Sequence, residues 1–90
     1  MADKRAYAVL LSDRNSQSIL MSREFLDALG DKNKCAFVAG GFDLTKYVGC
    51  IVFKTKKQRD EAAERMDEIG IIFDKRDDAL IDENFWNYLE

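Results

Sequence analysis

Residues 47–73 of the chain, YVGCIVFKTKKQRDEAAERMDEIGIIF, contain a strand, a helix and a second strand with almost no connecting residues. The helix is predicted over residues 55–69, because Thr55 and Gln58 have the spacing of a capping box. Gly70 stands where a left-handed residue commonly ends a helix. Between these ends the apolar residues fall on one helical face, which predicts burial of that face: Ala62, Ala63, Met66 and Ile69.

The segments on both sides of this helix predict strands. Residues 48–53 are rich in β-branched and aromatic side chains and predict a buried strand. Residues 71–73 restart the chain as a second strand. Two strands joined by one helix are expected to run parallel, with a right-handed crossover.

The first half of the chain predicts two more strands and one more helix. Residues 7–11 are apolar throughout and predict a central strand, and residues 35–39 predict a strand that forms a hairpin with 48–53. A helix is predicted over 22–29, with Ser22 as its N-cap. Residues 19–21 are either a short strand or the beginning of a helix.

The end of the chain predicts a third helix. After Phe73 the charged run DKRDD is expected to lead into it, with Asp82 as its N-cap and with Ile81 and Trp86 spaced as a hydrophobic staple. The order β-α-β-β-α-β plus a short C-terminal helix predicts an α+β, ferredoxin-like domain over residues 1–90. We expect a single-layer sheet of about four strands with two helices packed on one face. If residues 19–21 form a strand, the alternative is a mixed sheet opened by a hairpin.

Composition predicts one small, soluble domain. The chain has 90 residues, of which 47% are hydrophobic and 34% are charged, as in globular proteins. No apolar run approaches the roughly 18 residues of a membrane span, so no membrane association is expected. The N-terminus lacks the long apolar centre of a signal peptide. The expected location is therefore the cytoplasm, of a cell or of an infected host.

The residue types argue against catalysis. The chain contains no histidine, so it cannot form a Ser–His or Cys–His pair. We predict no enzyme activity, no catalytic residue, no cofactor and no metal. Cys35 and Cys50 are predicted to be small buried residues. A disulfide between them would require their strands to pair with the two residues opposed.

The charge distribution is the most informative functional feature. Residues 46–59 hold five basic residues and no acid, whereas residues 60–90 hold eleven acids and three bases. The predicted helix crosses this boundary with its charges reversed relative to its dipole: Lys56, Lys57 and Arg59 at the positive end, Asp67 and Glu68 at the negative end. Each misplaced charge costs about 0.3–1 kcal/mol at low salt. Either this cost has a functional reason, or neighbouring segments neutralise both ends.

Two functions follow from these charges. In the first, an acidic surface binds a basic protein, for example a nucleic-acid-binding protein whose phosphate site the carboxylates occupy. Its predicted residues are Glu64, Asp67, Glu68, Asp74, Asp77 and Asp78. In the second, a basic cluster near the helix N-terminus binds an anion or nucleic-acid phosphate. Its predicted residues are Lys54, Lys56, Lys57 and Arg59, together with Lys46. A homodimer formed by sheet edges is a third alternative.

Two stretches resemble known families. Residues 46–53, KYVGCIVF, resemble the third-strand motif of RNA-recognition-motif domains, which implies the same fold and binding of RNA by base stacking. The ring-stacking positions of that motif are Val48 and Cys50 here. The stretch SQSILMSREFLDALGDK is similar to a strand-then-helix segment of phage uracil-DNA glycosylase inhibitors, small acidic proteins that mimic DNA. That likeness implies a small viral or mobile-element inhibitor.

Overall fold

The described part of the chain contains four strands and three helices. The computed structural model describes residues 3–30, 34–38 and 43–82. Within these ranges the elements follow one another in the order β1 (Asp3–Ser12), α1 (Gln17–Leu20), α2 (Arg23–Leu29), β2 (Cys35–Val38), β3 (Tyr47–Phe53), α3 (Lys56–Glu68) and β4 (Phe73–Asp82). The chain is a small α+β domain, as predicted. None of the described helices is long and apolar enough to cross a membrane.

The four strands form one antiparallel sheet in the order β2-β3-β1-β4. The first strand is central, as predicted, and β2 and β3 form the predicted hairpin, in which Cys35 pairs with Phe53. Because β1 lies between β3 and β4 and is antiparallel to both, β3 and β4 run parallel without being neighbours. Helix α3 joins these two parallel strands across β1.

One face of the sheet carries the helices. Val9 and Leu11 of β1 and Ile51 and Phe53 of β3 are buried there against α2 and α3. The apolar stripe predicted along α3 contributes Ala62, Ala63 and Met66 to this cluster, and α2 contributes Phe25, Ala28 and Leu29. The opposite face forms a second buried cluster that contains Ala6, Ala8, Leu10, Cys50 and Val52.

Both ends of α3 lie where the sequence predicts them. Thr55 Oγ1 accepts a hydrogen bond from the Gln58 backbone N–H at 3.1 Å. The reciprocal bond of a capping box is not made, because Gln58 Oε1 is buried and has no partner. At the other end Gly70 has φ +87°. Its N–H donates to the Asp67 carbonyl at 3.1 Å and the Ile71 N–H donates to the Met66 carbonyl at 3.0 Å, which together form a Schellman motif.

Two other expectations concern residues 17–29. Helix α2 begins after Ser22, whose Oγ accepts from the Phe25 N–H at 3.2 Å, so the predicted N-cap is confirmed. Residues 19–21 form neither a strand nor the beginning of a helix, because Ile19 and Leu20 end the short helix α1 and Met21 is its C-cap. The mixed sheet opened by a hairpin is therefore wrong.

The charged run after Phe73 continues strand β4 as far as Asp82, whereas the sequence predicted a strand over residues 71–73 only. β4 pairs with β1 up to the pair formed by Asp3 and Asp82, so Asp82, the predicted N-cap, is the last residue of this strand. The segment forms a strand because of a tertiary contact, in which the outer edge of β1 supplies its backbone hydrogen-bond partners. An edge strand exposed to water tolerates charges that a buried strand does not. The rest of the predicted last helix, including Trp86, lies outside the described residues.

Cys35 and Cys50 are not joined by a disulfide. Cys35 pairs with Phe53 and Cys50 pairs with Val38, so the two residues are not opposed across the hairpin. Cys50 is buried as predicted, whereas Cys35 is half-buried. Burial raises the pKa of the Cys50 thiol, which keeps it protonated and unreactive.

Candidate functional site

Three of the six predicted acidic residues lie together on α3. Glu64, Asp67 and Glu68 are exposed, while Ala62, Ala63 and Met66 face the sheet. Successive residues turn by about 100° around a helix, so Glu64 and Glu68 point away from the sheet. No ion pair between described residues involves these three carboxylates.

Glu61 extends this group and was not predicted. It is exposed, and it lies one helical turn before Glu64 and two before Glu68. It also forms no ion pair within the described part of the chain. We call Glu61, Glu64, Asp67 and Glu68 the α3 acidic face. The spacing of three and four residues was the signal in the sequence that could have added Glu61.

The structure separates the other three predicted acids from one another. Asp74 pairs with Leu10, which belongs to the sheet face opposite α3. There the Tyr47 hydroxyl donates a hydrogen bond to Asp74, and this bond raises the pKa of Tyr47. Asp78 is exposed, and Asp77 forms an ion pair with Arg59. The six residues are therefore not one cluster.

The Arg59 side chain is buried, at 3% exposure. Its Nε donates to Asp60 Oδ1 at 2.7 Å, and its Nη2 lies 2.6 Å from Asp77 Oδ1. The third contact is a hydrogen bond of 2.8 Å from Nη1 to the carbonyl oxygen of Arg76. The guanidinium also lies 5.7 Å from the centre of the Tyr7 ring, within the range of a cation–π contact.

An irregularity in β4 explains why Arg59 binds there. Ala6 pairs with Ala79 and Ala8 pairs with Arg76, so Tyr7 faces two residues of β4 instead of one. Such a bulge leaves backbone groups without a partner in the sheet. Arg59 donates to the carbonyl oxygen immediately before the bulge. It therefore fastens the first half of α3 to the edge strand.

The charges around Arg59 stabilise one another. Burial alone would lower the pKa of Arg59, but the hydrogen bonds to Asp60 and Asp77 and their negative charges outweigh it and leave the pKa raised. The hydrogen bond from Arg59 lowers the pKa of Asp60, and attraction to Arg59 and Lys75 lowers it further. Lys75 Nζ lies 3.9 Å from Asp60 Oδ1. Each charged side chain of this cluster therefore has a partner of opposite charge within the chain.

The predicted basic residues are also divided. Lys56 and Lys57 are exposed in the first turn of α3, and Lys54 is exposed just before it. Arg59 is withdrawn into the ion-pair cluster described above. Lys46 precedes the other end of β3, and a strand of that length spans roughly 23 Å. The structure thus brings together only the three lysines at 54, 56 and 57.

Of the reversed charges on α3, Arg59 is the one that an ion pair between described residues neutralises. At the N-terminal end Arg59 is paired with Asp60 and Asp77. At the C-terminal end the one basic residue of the last turn is Arg65, and its Nε donates instead to the Ala28 carbonyl of α2 at 2.8 Å. Among the described residues, no cation forms an ion pair with the carboxylates near the negative end of the dipole, where the α3 acidic face lies.

The sheet face opposite α3 carries the two positions that correspond to ring-stacking residues. Val48 is 56% exposed, and Cys50 is buried beside Val52. Neither has an aromatic ring, so base stacking at these positions is excluded. Tyr47 packs at the margin of the same buried cluster, where its hydroxyl is bound by Asp74.

A cleft of about 560 Å³ lies between the end of α2 and the first turn of α3. Lys57 and Arg65 line it together with Asp27 and Glu61, so its charges are mixed. Within the described ranges no group of three or more His, Cys, Asp or Glu side chains is placed to hold a metal ion.

Asn15 has a structural role that was not predicted from the sequence. Its side-chain amide donates to the Ile72 carbonyl at 2.7 Å and accepts from the Ile72 N–H at 2.7 Å. It also donates to the Ser12 carbonyl at 2.9 Å. The amide thus replaces a backbone peptide and joins the loop after β1 to the residue before β4.

Neither a protein-family model nor a curated protein nor a solved structure matches this chain. Its function is therefore inferred from the placement of its charged side chains.

Proposed function

We propose that the chain is a non-enzymatic interaction module that binds a basic partner protein through the α3 acidic face. The observation that carries this proposal is that Glu64, Asp67 and Glu68 are exposed and form no ion pair with any described residue. They lie beside the negative end of the α3 dipole. A cationic partner placed there gains attraction from the carboxylates and from the helix end together.

The energetics of exposed carboxylates suit such a surface. Before binding, water solvates them, so displaying them costs little beyond the dipole term. Their field attracts a basic protein over about 10 Å at 0.1 M salt, which accelerates encounter. We infer that binding is fast and depends strongly on salt, as expected for electrostatic recognition.

The acids on β4 have other roles in this proposal. Asp77 positions Arg59 and is not available to a partner without breaking that pair. Asp74 is engaged by Tyr47 on the other face of the sheet. Asp78 remains a candidate contact at the margin of the surface, because it is exposed and forms no ion pair with a described residue.

We infer a ferredoxin-like arrangement, which the split βαβ unit formed by β3, α3 and β4 supports. We further propose a small acidic inhibitor of viral or mobile-element origin, acting in the host cytoplasm. Occupation of a basic, nucleic-acid-binding surface by carboxylates would give such a protein its effect.

The test is a pull-down from the native host with the intact chain and with a charge-reversed variant. Glu64→Lys combined with Glu68→Lys changes the α3 acidic face and leaves the Arg59 cluster untouched. The matched control is Asp13→Lys combined with Asp27→Lys, which produces the same change in net charge at two other exposed sites. We expect the variant to lose the partner and the control to retain it. Retention by both would refute the proposal.

A second candidate function is binding of nucleic acid or another anion by Lys54, Lys56 and Lys57. The observation in its favour is that Lys56 and Lys57 are exposed in the first turn of α3. Arg59, which belonged to the predicted cluster, has its donors engaged by Asp60, Asp77 and Arg76. A gel shift at two salt concentrations separates the candidates, because tight, salt-sensitive binding of free RNA or DNA would favour the lysines.

A further inference from the structure

We draw no further inference here: the strongest candidate, the cleft between the end of α2 and the first turn of α3, rests on a helix N-terminus with no second observation that points to a ligand, because the unpartnered oxygen among its described lining residues, Gln58 Oε1, is itself buried out of reach of a molecule in the cleft.

Discussion

Arg59 Nη2 and Asp77 Oδ1 lie 2.6 Å apart and join helix α3 to the edge strand β4. The two partners differ sharply in burial, because the Arg59 side chain is 3% exposed and the Asp77 side chain is 60% exposed. Loss of the arginine leaves carboxylates that water can solvate. Loss of the aspartate leaves a buried guanidinium with one acceptor fewer.

Replacement of Arg59 by methionine is expected to destabilise the fold. The variant loses hydrogen bonds to Asp60, Asp77 and the Arg76 carbonyl while keeping much of the apolar volume. Hydrogen bonds to charged groups contribute about 1.5–3 kcal/mol each to the free energy of unfolding. The two carboxylates are partly exposed to water, so the bonds to Asp60 and Asp77 contribute less than this. We expect the free energy of unfolding to fall by about 2–3 kcal/mol, measured by urea denaturation.

The control for this prediction is Lys57→Met, which removes an exposed cation two residues away. Its free energy of unfolding should stay within about 0.5 kcal/mol of the unmodified chain. If both variants have the same stability, Arg59 is not the residue that fastens α3 to β4.

Acidification should weaken the same cluster through Asp60. The hydrogen bond from Arg59 lowers the pKa of Asp60 below its ordinary value of 3.8. A carboxyl whose pKa is lower in the folded than in the unfolded chain stabilises the fold fully above the unfolded value, and that stabilisation is lost as the pH falls through the folded value. The loss therefore begins near pH 3.8 and continues below it.

The measurement is the thermal midpoint of the unmodified chain and of Asp60→Asn between about pH 6 and about pH 2.5. All other carboxyls titrate in both proteins, so only the difference between the two curves reports Asp60. We expect the unmodified chain to be the more stable at pH 6 and the two midpoints to converge below pH 3.8. A constant difference over the whole range would contradict the pKa shift.

Gly30 and Gly70 should differ in their tolerance of a side chain. Both have positive φ, at +81° and +87°. A Cβ at Gly70 would meet nothing within 4 Å, whereas a Cβ at Gly30 would lie 2.7 Å from Arg65 Nη2. Gly70→Ala is expected to cost about 1–2 kcal/mol, the penalty of left-handed backbone alone.

Gly30→Ala is expected to cost more than Gly70→Ala for two reasons. Gly30 has ψ −138°, which together with its positive φ is a conformation that residues with a Cβ rarely adopt. Arg65 must also move, which disturbs its hydrogen bond to the Ala28 carbonyl. Chemical denaturation of the two variants gives the comparison directly. Equal losses would contradict this expected difference between the two glycines.

The sequence predicts α3 well because both of its ends depend on local residues. Thr55 caps the helix by its own hydroxyl, and Gly70 ends it by its own backbone conformation. β4 could not be predicted in this way. Its hydrogen bonds are made with β1, some 70 residues earlier in the chain, and its charged side chains hide the alternation that normally predicts a strand.

The candidate site likewise has a part that the local sequence predicts and a part that depends on tertiary contacts. The exposed position of Glu64 and Glu68 follows from the apolar stripe on the other side of the helix. The burial of Arg59 had a signal as well, because Arg59 lies on that stripe three residues before Ala62. Its partner Asp77 could not be read from the sequence, since the pair depends on the bulge in β4.

The α3 acidic face is tested most directly by the dissociation constant between the chain and the partner recovered from the native host. It is measured at two salt concentrations for the unmodified chain, for Glu64→Lys/Glu68→Lys and for the control Asp13→Lys/Asp27→Lys. We predict that the first variant binds at least about tenfold more weakly at low salt, which corresponds to about 1.4 kcal/mol, and that the control binds within a few-fold of the unmodified chain. Unchanged affinity of the first variant would contradict the proposed role of the α3 acidic face.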